Sequence, residues 1–127
     1  MGKKILVVDD EPHIVKLIVT RLQANGYEVF TGTNGEEALE VARKERPDLI
    51  LMDVLMPVMD GYTFVKTAKG DNDIKDIPVI ILSAKDRMSE LFKAEGIKDF
   101  LVKPCRAEEL LKVVDAYLKP SSPDEFQ

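Results

Sequence analysis

The sequence predicts an α/β domain in which a parallel sheet is covered by helices on both faces. Three observations lead there. Short runs rich in Val, Ile and Leu recur at 5–8, 29–30, 49–52, 79–82 and 100–102, and they are mostly continuous rather than alternating, as strands buried on both faces are. Segments with helical spacing lie between them. The two kinds of segment alternate along the whole chain, and strand–helix–strand repetition is the pattern of parallel strands joined by crossovers.

Each element has its own warrant. The stretch "ILVVD" predicts a strand over 5–9. Pro12 suits the first turn of a helix over 12–25, where Ile14, Ile18 and Leu22 lie four apart with Val15 and Val19 beside them, and Gly26 stands where a C-cap is expected. A strand follows over 27–31. Asn34 and Glu37 have the spacing of a capping box and open a helix over 35–45. "DLILM" predicts a strand over 48–52, and Asp60-Gly61 reads as a turn and cap before a helix over 61–69. Further strands are expected at 78–82 and 98–102. A helix over 87–95 is closed by Gly96, and the stripe Leu110, Val114 and Tyr117, flanked by Leu111 and Leu118, predicts a last helix over 106–118. "KPSSPDEFQ" has two prolines and no apolar periodicity, so residues 1–119 are expected to form one domain and 120–127 a mobile tail.

Composition narrows the function classes. The 127 residues suffice for one domain with a true core, and the apolar fraction of 45% is ordinary for a globular chain. The net charge of −5 argues against nonspecific binding of nucleic acid or of an anionic membrane surface. No apolar run approaches the ~20 residues of a membrane helix, and the run after the basic start "MGKK" is too short for a signal peptide. Cys105 is the single cysteine, so no internal disulfide forms, which suits a reducing, cytoplasmic setting. Cys105 reads most simply as a half-buried thiol, and His13 as a surface residue at a helix start.

In open parallel sheets, function sits beyond the carboxyl ends of the strands. Here the first predicted strand runs into Asp9-Asp10-Glu11, the third into Asp53, the fourth into Ser83 and the fifth into Lys103. Adjacent strands lie about 4.8 Å apart, so these groups converge. Clustered carboxylates repel and raise one another's pKa. A hard divalent cation relieves that repulsion, and Mg²⁺ takes one or two carboxylates while keeping positions open for water or phosphate oxygens. Lys103 supplies a point charge and Ser83 a hydroxyl donor. The set suits a carboxylate that accepts a phosphoryl group with metal assistance.

Four pieces, "ILVVDDE", "PDLILMDVLMPVMDG", "IPVIILSAK" and "DFLVKP", together resemble the receiver domains of two-component response regulators, over roughly residues 3–118. The resemblance implies a single (βα)5 flavodoxin-like domain with a five-stranded parallel sheet in the order 2-1-3-4-5. It implies that Asp53 is the phosphoacceptor, that Asp9, Asp10, Asp53 and the backbone carbonyl of Leu55 hold Mg²⁺, and that Lys103 pairs with Asp53 and later with the phosphoryl group. Ser83 would bond a phosphoryl oxygen, and Phe100 stands at the family's aromatic switch position. The Lys103–Pro104 peptide is expected to be cis, as in the family.

The partners implied are a sensor histidine kinase or a histidine phosphotransfer protein as donor and a downstream protein that the sequence does not name. The chain is expected to be a monomer or a weak phosphorylation-dependent dimer. Two departures stand out. The spacing from Ser83 to Gly96 is shorter than is usual in the family, so the fourth helix or the loop before it should be short. No output domain follows the last helix, which is compatible with a stand-alone regulator or with part of a longer one. Two other functions fit less well. A hydrolase with an aspartyl-phosphate intermediate, of the haloacid-dehalogenase kind, needs a second Asp where Leu55 stands. An unphosphorylated interaction domain with the same fold has no need of the full set Asp9, Asp10, Asp53, Ser83 and Lys103.

Overall fold

The computed structural model describes residues 2–83, 89–97, 99–103 and 106–118. Five strands alternate with five helices: β1 (Lys4–Val8), α1 (Pro12–Ala24), β2 (Glu28–Gly32), α2 (Gly35–Glu45), β3 (Leu49–Asp53), α3 (Gly61–Lys69), β4 (Val79–Ser83), α4 (Ser89–Ala94), β5 (Asp99–Val102) and α5 (Ala107–Leu118). The strands form one parallel sheet in the order β2-β1-β3-β4-β5, as expected.

Period-two alternation divides each central strand between two cores. Ile5, Val7, Leu49, Leu51, Ile80 and Leu82 face one side, where Ile18 and Leu22 of α1 and Leu110, Val114 and Leu118 of α5 meet them. Leu6, Val8, Ile50, Met52 and Ile81 face the other, against Ala38 and Ala42 of α2, Phe64 and Val65 of α3 and Phe92 of α4. This is why the central strands read as unbroken apolar runs: from Ile5 to Val8, Leu49 to Met52 and Val79 to Leu82 every residue is buried, on one face or the other.

Helix ends follow local chemistry. The Asn34 side chain accepts from the Glu37 N–H at 2.9 Å, and that of Asp60 accepts from the Thr63 N–H at 2.8 Å. Glu37 turns back as a capping box predicts, but its carboxylate accepts from the Thr33 N–H and hydroxyl rather than from Asn34. Those bonds hold the Glu37 carboxyl below its usual range. Gly26 and Gly96 adopt φ +90° and +88°, the left-handed turn expected after α1 and α4. Two tyrosine hydroxyls fasten α5. Tyr27, just before β2, donates to Asp115, and Tyr117 donates to Asp99 of β5 at 2.5 Å.

The sheet's carboxyl edge departs from expectation by one residue at several points. β1 stops at Val8, and β3 and β4 each run one residue further, because Asp53 pairs with Leu82 and Ser83 with Val102. Asp53 is therefore the last residue of a strand, not the first of a loop. Among the described residues the fourth helix spans Ser89–Ala94, and the loop expected to be short before it lies outside them. Cys105, the Lys103–Pro104 peptide and the tail 120–127 lie outside the described residues.

One feature of the β3–α3 loop was not foreseen. Val58 sits at φ +69°, spanned by a bond from the Met59 N–H to the Pro57 carbonyl at 2.7 Å. This three-residue turn is rare and strained, more so for a β-branched side chain. The Val58 side chain is 76% exposed and gains little packing in return. The loop is held there because the Met59 carbonyl accepts from the Gly35 N–H at 2.7 Å, so close that a Cβ on Gly35 would lie 2.8 Å from that oxygen. Val58→Gly is expected to stabilise the fold by about 1 kcal/mol, strain relief outweighing the added freedom of the unfolded chain. Urea unfolding checks this, and an unchanged or lowered stability would refute the strain.

Candidate functional site

The strand register assembles the site as a staircase. Val8 pairs with Met52, so Asp9 and Asp53 occupy the same next step. Asp53 pairs with Leu82, which puts Ser83 one step beyond. Ser83 pairs with Val102, which puts Lys103 one step beyond again. The described structure places Ser83 at the end of β4, and its side chain lies outside the described residues. α3 starts close against the β3 end: a Cβ on Gly61 would fall 2.4 Å from the Asp53 carbonyl oxygen, so this position admits no side chain.

Asp9 is fully buried and Asp53 nearly so, while Asp10 is exposed. Oxygens of all three carboxylates lie within 4.8 Å of one another. Burying carboxylates without compensation is unfavourable by several kcal/mol, and the compensation is visible. Asp9 Oδ1 accepts from the Glu11 N–H at 3.0 Å, and Asp9 Oδ2 accepts from Lys103 Nζ at 2.7 Å. The same ammonium stands 3.2 Å from Glu11 Oε1 and 3.4 Å from Asp53 Oδ1.

The nearest partner of Lys103 is thus Asp9, with Asp53 the most distant of three carboxylates. Glu11 as a partner of Lys103 was missed from sequence. Its place between the paired aspartates and Pro12 was the available signal. Leu55 follows on the loop with its side chain 78% exposed, and His13 is exposed on α1. Phe100 is half-buried against the α2–α4 core, its ring edge-on to Phe92 with centroids 6.3 Å apart.

Among the described residues, four carboxylates, those of Asp9, Asp10, Glu11 and Asp53, stand about the one ammonium of Lys103, and the ionisation of the site reflects that crowding. Burial first, and the neighbouring charge of Asp9 second, push the Asp53 carboxyl up to about 6 against the pull of Lys103. Burial alone would lower the Lys103 pKa, but its bond to Asp9 and the charges of Asp53 and Asp9 hold it above the usual range. An all-oxygen donor set short of positive charge fits a hard cation such as Mg²⁺.

Comparison with known proteins shows the family and the fold. The family model described as "Response regulator receiver domain" matches residues 5–115. Protein PilH of Pseudomonas aeruginosa is 36% identical over 117 residues, 91% of this chain and 97% of that protein. Other curated relatives are longer. The "Probable transcriptional regulator ycf27" of Pyropia yezoensis is 46% identical over 112 residues, yet the chain spans only 44% of its length. Among solved structures, the chemotaxis response regulator CheY4 of Vibrio cholerae is 39% identical, with a TM-score of 0.85 over 93% of this chain and 100% of that one. The receiver domain of sensor histidine kinase PA1611 from Pseudomonas aeruginosa, 30% identical with a TM-score of 0.84 over 92% and 98% of the two chains, carries a magnesium ion in its active-site cleft.

The position of Asp53 carries a pH dependence. In the folded, metal-free protein its carboxyl keeps a proton up to about pH 6, whereas in the unfolded chain it releases it near pH 4. Between those values the folded state binds more protons, so stability falls as pH rises. Asp53→Asn removes the effect. In EDTA the variant is expected to match the parent near pH 4 and to exceed it by about 2 kcal/mol at pH 7. Urea melts across that range check it, and a difference independent of pH would show that Asp53 is not the group responsible.

Proposed function

We propose, from the premise that this chain belongs to the response regulator receiver domain family, that Asp53 is the residue on which its signal is written. The chain is a phosphoacceptor signalling domain of two-component type. The observation that supports Asp53 is its setting: a nearly buried carboxylate at a strand end, beside two further carboxylates and in reach of one ammonium.

In the proposed reaction an Asp53 carboxylate oxygen attacks the phosphorus of a phosphohistidine on a sensor histidine kinase or histidine phosphotransfer protein. The new O–P bond makes an acyl phosphate. The P–N bond breaks, its electron pair stays on the imidazole, and the imidazole leaves neutral when its other nitrogen carries a proton. Water later attacks the phosphorus, returning the carboxylate and inorganic phosphate. Asp9, Asp10, Asp53 and the backbone carbonyl of Leu55 would hold Mg²⁺, as the ion in the cleft of the PA1611 receiver domain suggests. When bound, Mg²⁺ supplies the positive charge that keeps Asp53 ionised and offsets charge on phosphoryl oxygens. Lys103 would provide a charge-assisted donor.

On this reading the chain is a switch and turns over no external substrate beyond slow self-dephosphorylation. It works in the cytoplasm, as a monomer or weak dimer, with residues 1–119 as the receiver unit and 120–127 as a tail. No helix of the described residues is long and apolar enough to cross a membrane. The longer relatives named as transcriptional regulators leave the downstream partner to experiment.

Acetyl phosphate with Mg²⁺ is expected to label the protein at a single acyl phosphate. Asp53→Asn should abolish the label, and Asp10→Asn should reduce it at least tenfold without lowering the melting temperature of the metal-free protein, since loss of one clustered charge relieves repulsion. Label persisting in Asp53→Asn would exclude Asp53 as acceptor, and a destabilised Asp10→Asn would make Asp10 a structural group.

Ser83 and Phe100 would carry the switch. A phosphoryl group gives the Ser83 hydroxyl a partner, and Phe100, already half-buried, would turn inward beside it. Phenylalanine has no hydroxyl to leave unsatisfied, so the inward state should be populated before phosphorylation as well. Ring signals of Phe100 are expected to shift when Mg²⁺ and beryllofluoride saturate the protein. Unchanged ring signals at saturation would leave Phe100 as core alone.

A further inference from the structure

We infer that Glu11 is a positioning residue that holds Lys103 in a resting arrangement and must release it for the phosphoryl group to be received. The inference rests on Asp53 being the phosphoacceptor.

An ammonium has three N–H donors. Three carboxylates already surround that of Lys103: Asp9 at 2.7 Å, Glu11 at 3.2 Å and Asp53 at 3.4 Å. The Lys103 side chain is only 14% exposed, so water has little access to take over a donor. Its hydrogen bonds run to Asp9 and Glu11, and Asp53 is the farthest of the three. For the ammonium to close on a phosphoryl oxygen at Asp53, one of those two bonds has to give way. Asp9 is fixed, being fully buried with its other oxygen bonded to the Glu11 N–H. Glu11 remains: its side chain is 50% exposed and sits on the rim of the site, free to move into water.

The start of α1 gives a second, independent sign. Glu11 is the N-cap of α1, with the extended backbone of such a position, yet its side chain makes no capping bond. The corresponding residues of α2 and α3, Asn34 and Asp60, both cap their helices. Ser, Thr, Asp and Asn are favoured at N-caps, and a shorter carboxylate would satisfy a helix N–H there. Glutamate forgoes that bond, and its extra methylene instead carries the carboxylate to Lys103.

Two variants separate this role from mere repulsion of an anionic phosphodonor. Glu11→Gln removes the charge and weakens the bond to Lys103. Glu11→Asp keeps the charge at the rim but falls short of Lys103. With acetyl phosphate and saturating Mg²⁺, both are expected to label Asp53 about three- to tenfold faster than the parent, the range expected for loss of one partly exposed charge-assisted bond. In the metal-free protein, both should also move the ¹H–¹⁵N signal of the Lys103 ammonium. Acceleration by Gln alone would assign the effect to charge repulsion and overturn the inference. So would parent-like rates in both variants, or an ammonium signal that neither variant moves. A parent protein that takes no label at Asp53, while both variants still move the ammonium signal, would instead locate the failure in the phosphoacceptor reading.

Discussion

The carboxyl edge of this sheet is organised by one ammonium group. Lys103 issues from the end of β5, the outermost strand on its side, and its carboxylate partners issue from β3 and from beyond β1. The four-carbon stem of a lysine is what lets the fifth strand reach the third and the first past the fourth. Without it, two buried aspartates would face each other with no compensating charge, a situation that proteins escape by protonation or by unfolding. The rest of the edge follows. Asp9 is fully buried because Lys103 and the Glu11 N–H satisfy both its oxygens. Asp53 is kept from ionising easily by its burial and then by the charge of Asp9, against the pull of Lys103.

That arrangement leaves the site deliberately incomplete in charge. Among the described residues, four carboxylates and one ammonium carry a surplus of negative charge, two of the carboxylates buried, so the site has an appetite for a cation that a fully paired network would lack. The same shortage makes the site responsive to any cation that enters among its carboxylates.

Much of this was legible in the sequence. Unbroken apolar runs gave the strands because both faces of the sheet are covered, and "DD", "D", "S" and "K" at successive strand ends marked the edge where chemistry collects. The capping residues Asn34 and Asp60 announced α2 and α3 by a local bond that needs no tertiary information. What escaped was decided by tertiary detail. The expected pairing of Lys103 with Asp53 is present, but that Lys103 lies nearer still to Asp9 was not foreseen, because that depends on a stagger of one residue between strands that periodicity does not encode. Val58 carries no turn signal of its own, since valine is a poor candidate for a positive φ, and the clamp between Gly35 and Met59 that imposes it joins distant parts of the chain. Glu11 looked like an ordinary acidic residue before a helix because its distinguishing property is a capping bond it does not make.

The two tyrosine clamps on α5 have a mechanical consequence. Tyr27 grips the helix from the margin of the sheet where β2 begins, and Asp99 grips it from β5 at the opposite margin. Both clamps lie within the last turn of α5, at Asp115 and Tyr117, so that one end of the helix is tied to both margins of the sheet at once, and any change in the twist of the sheet is carried straight to it.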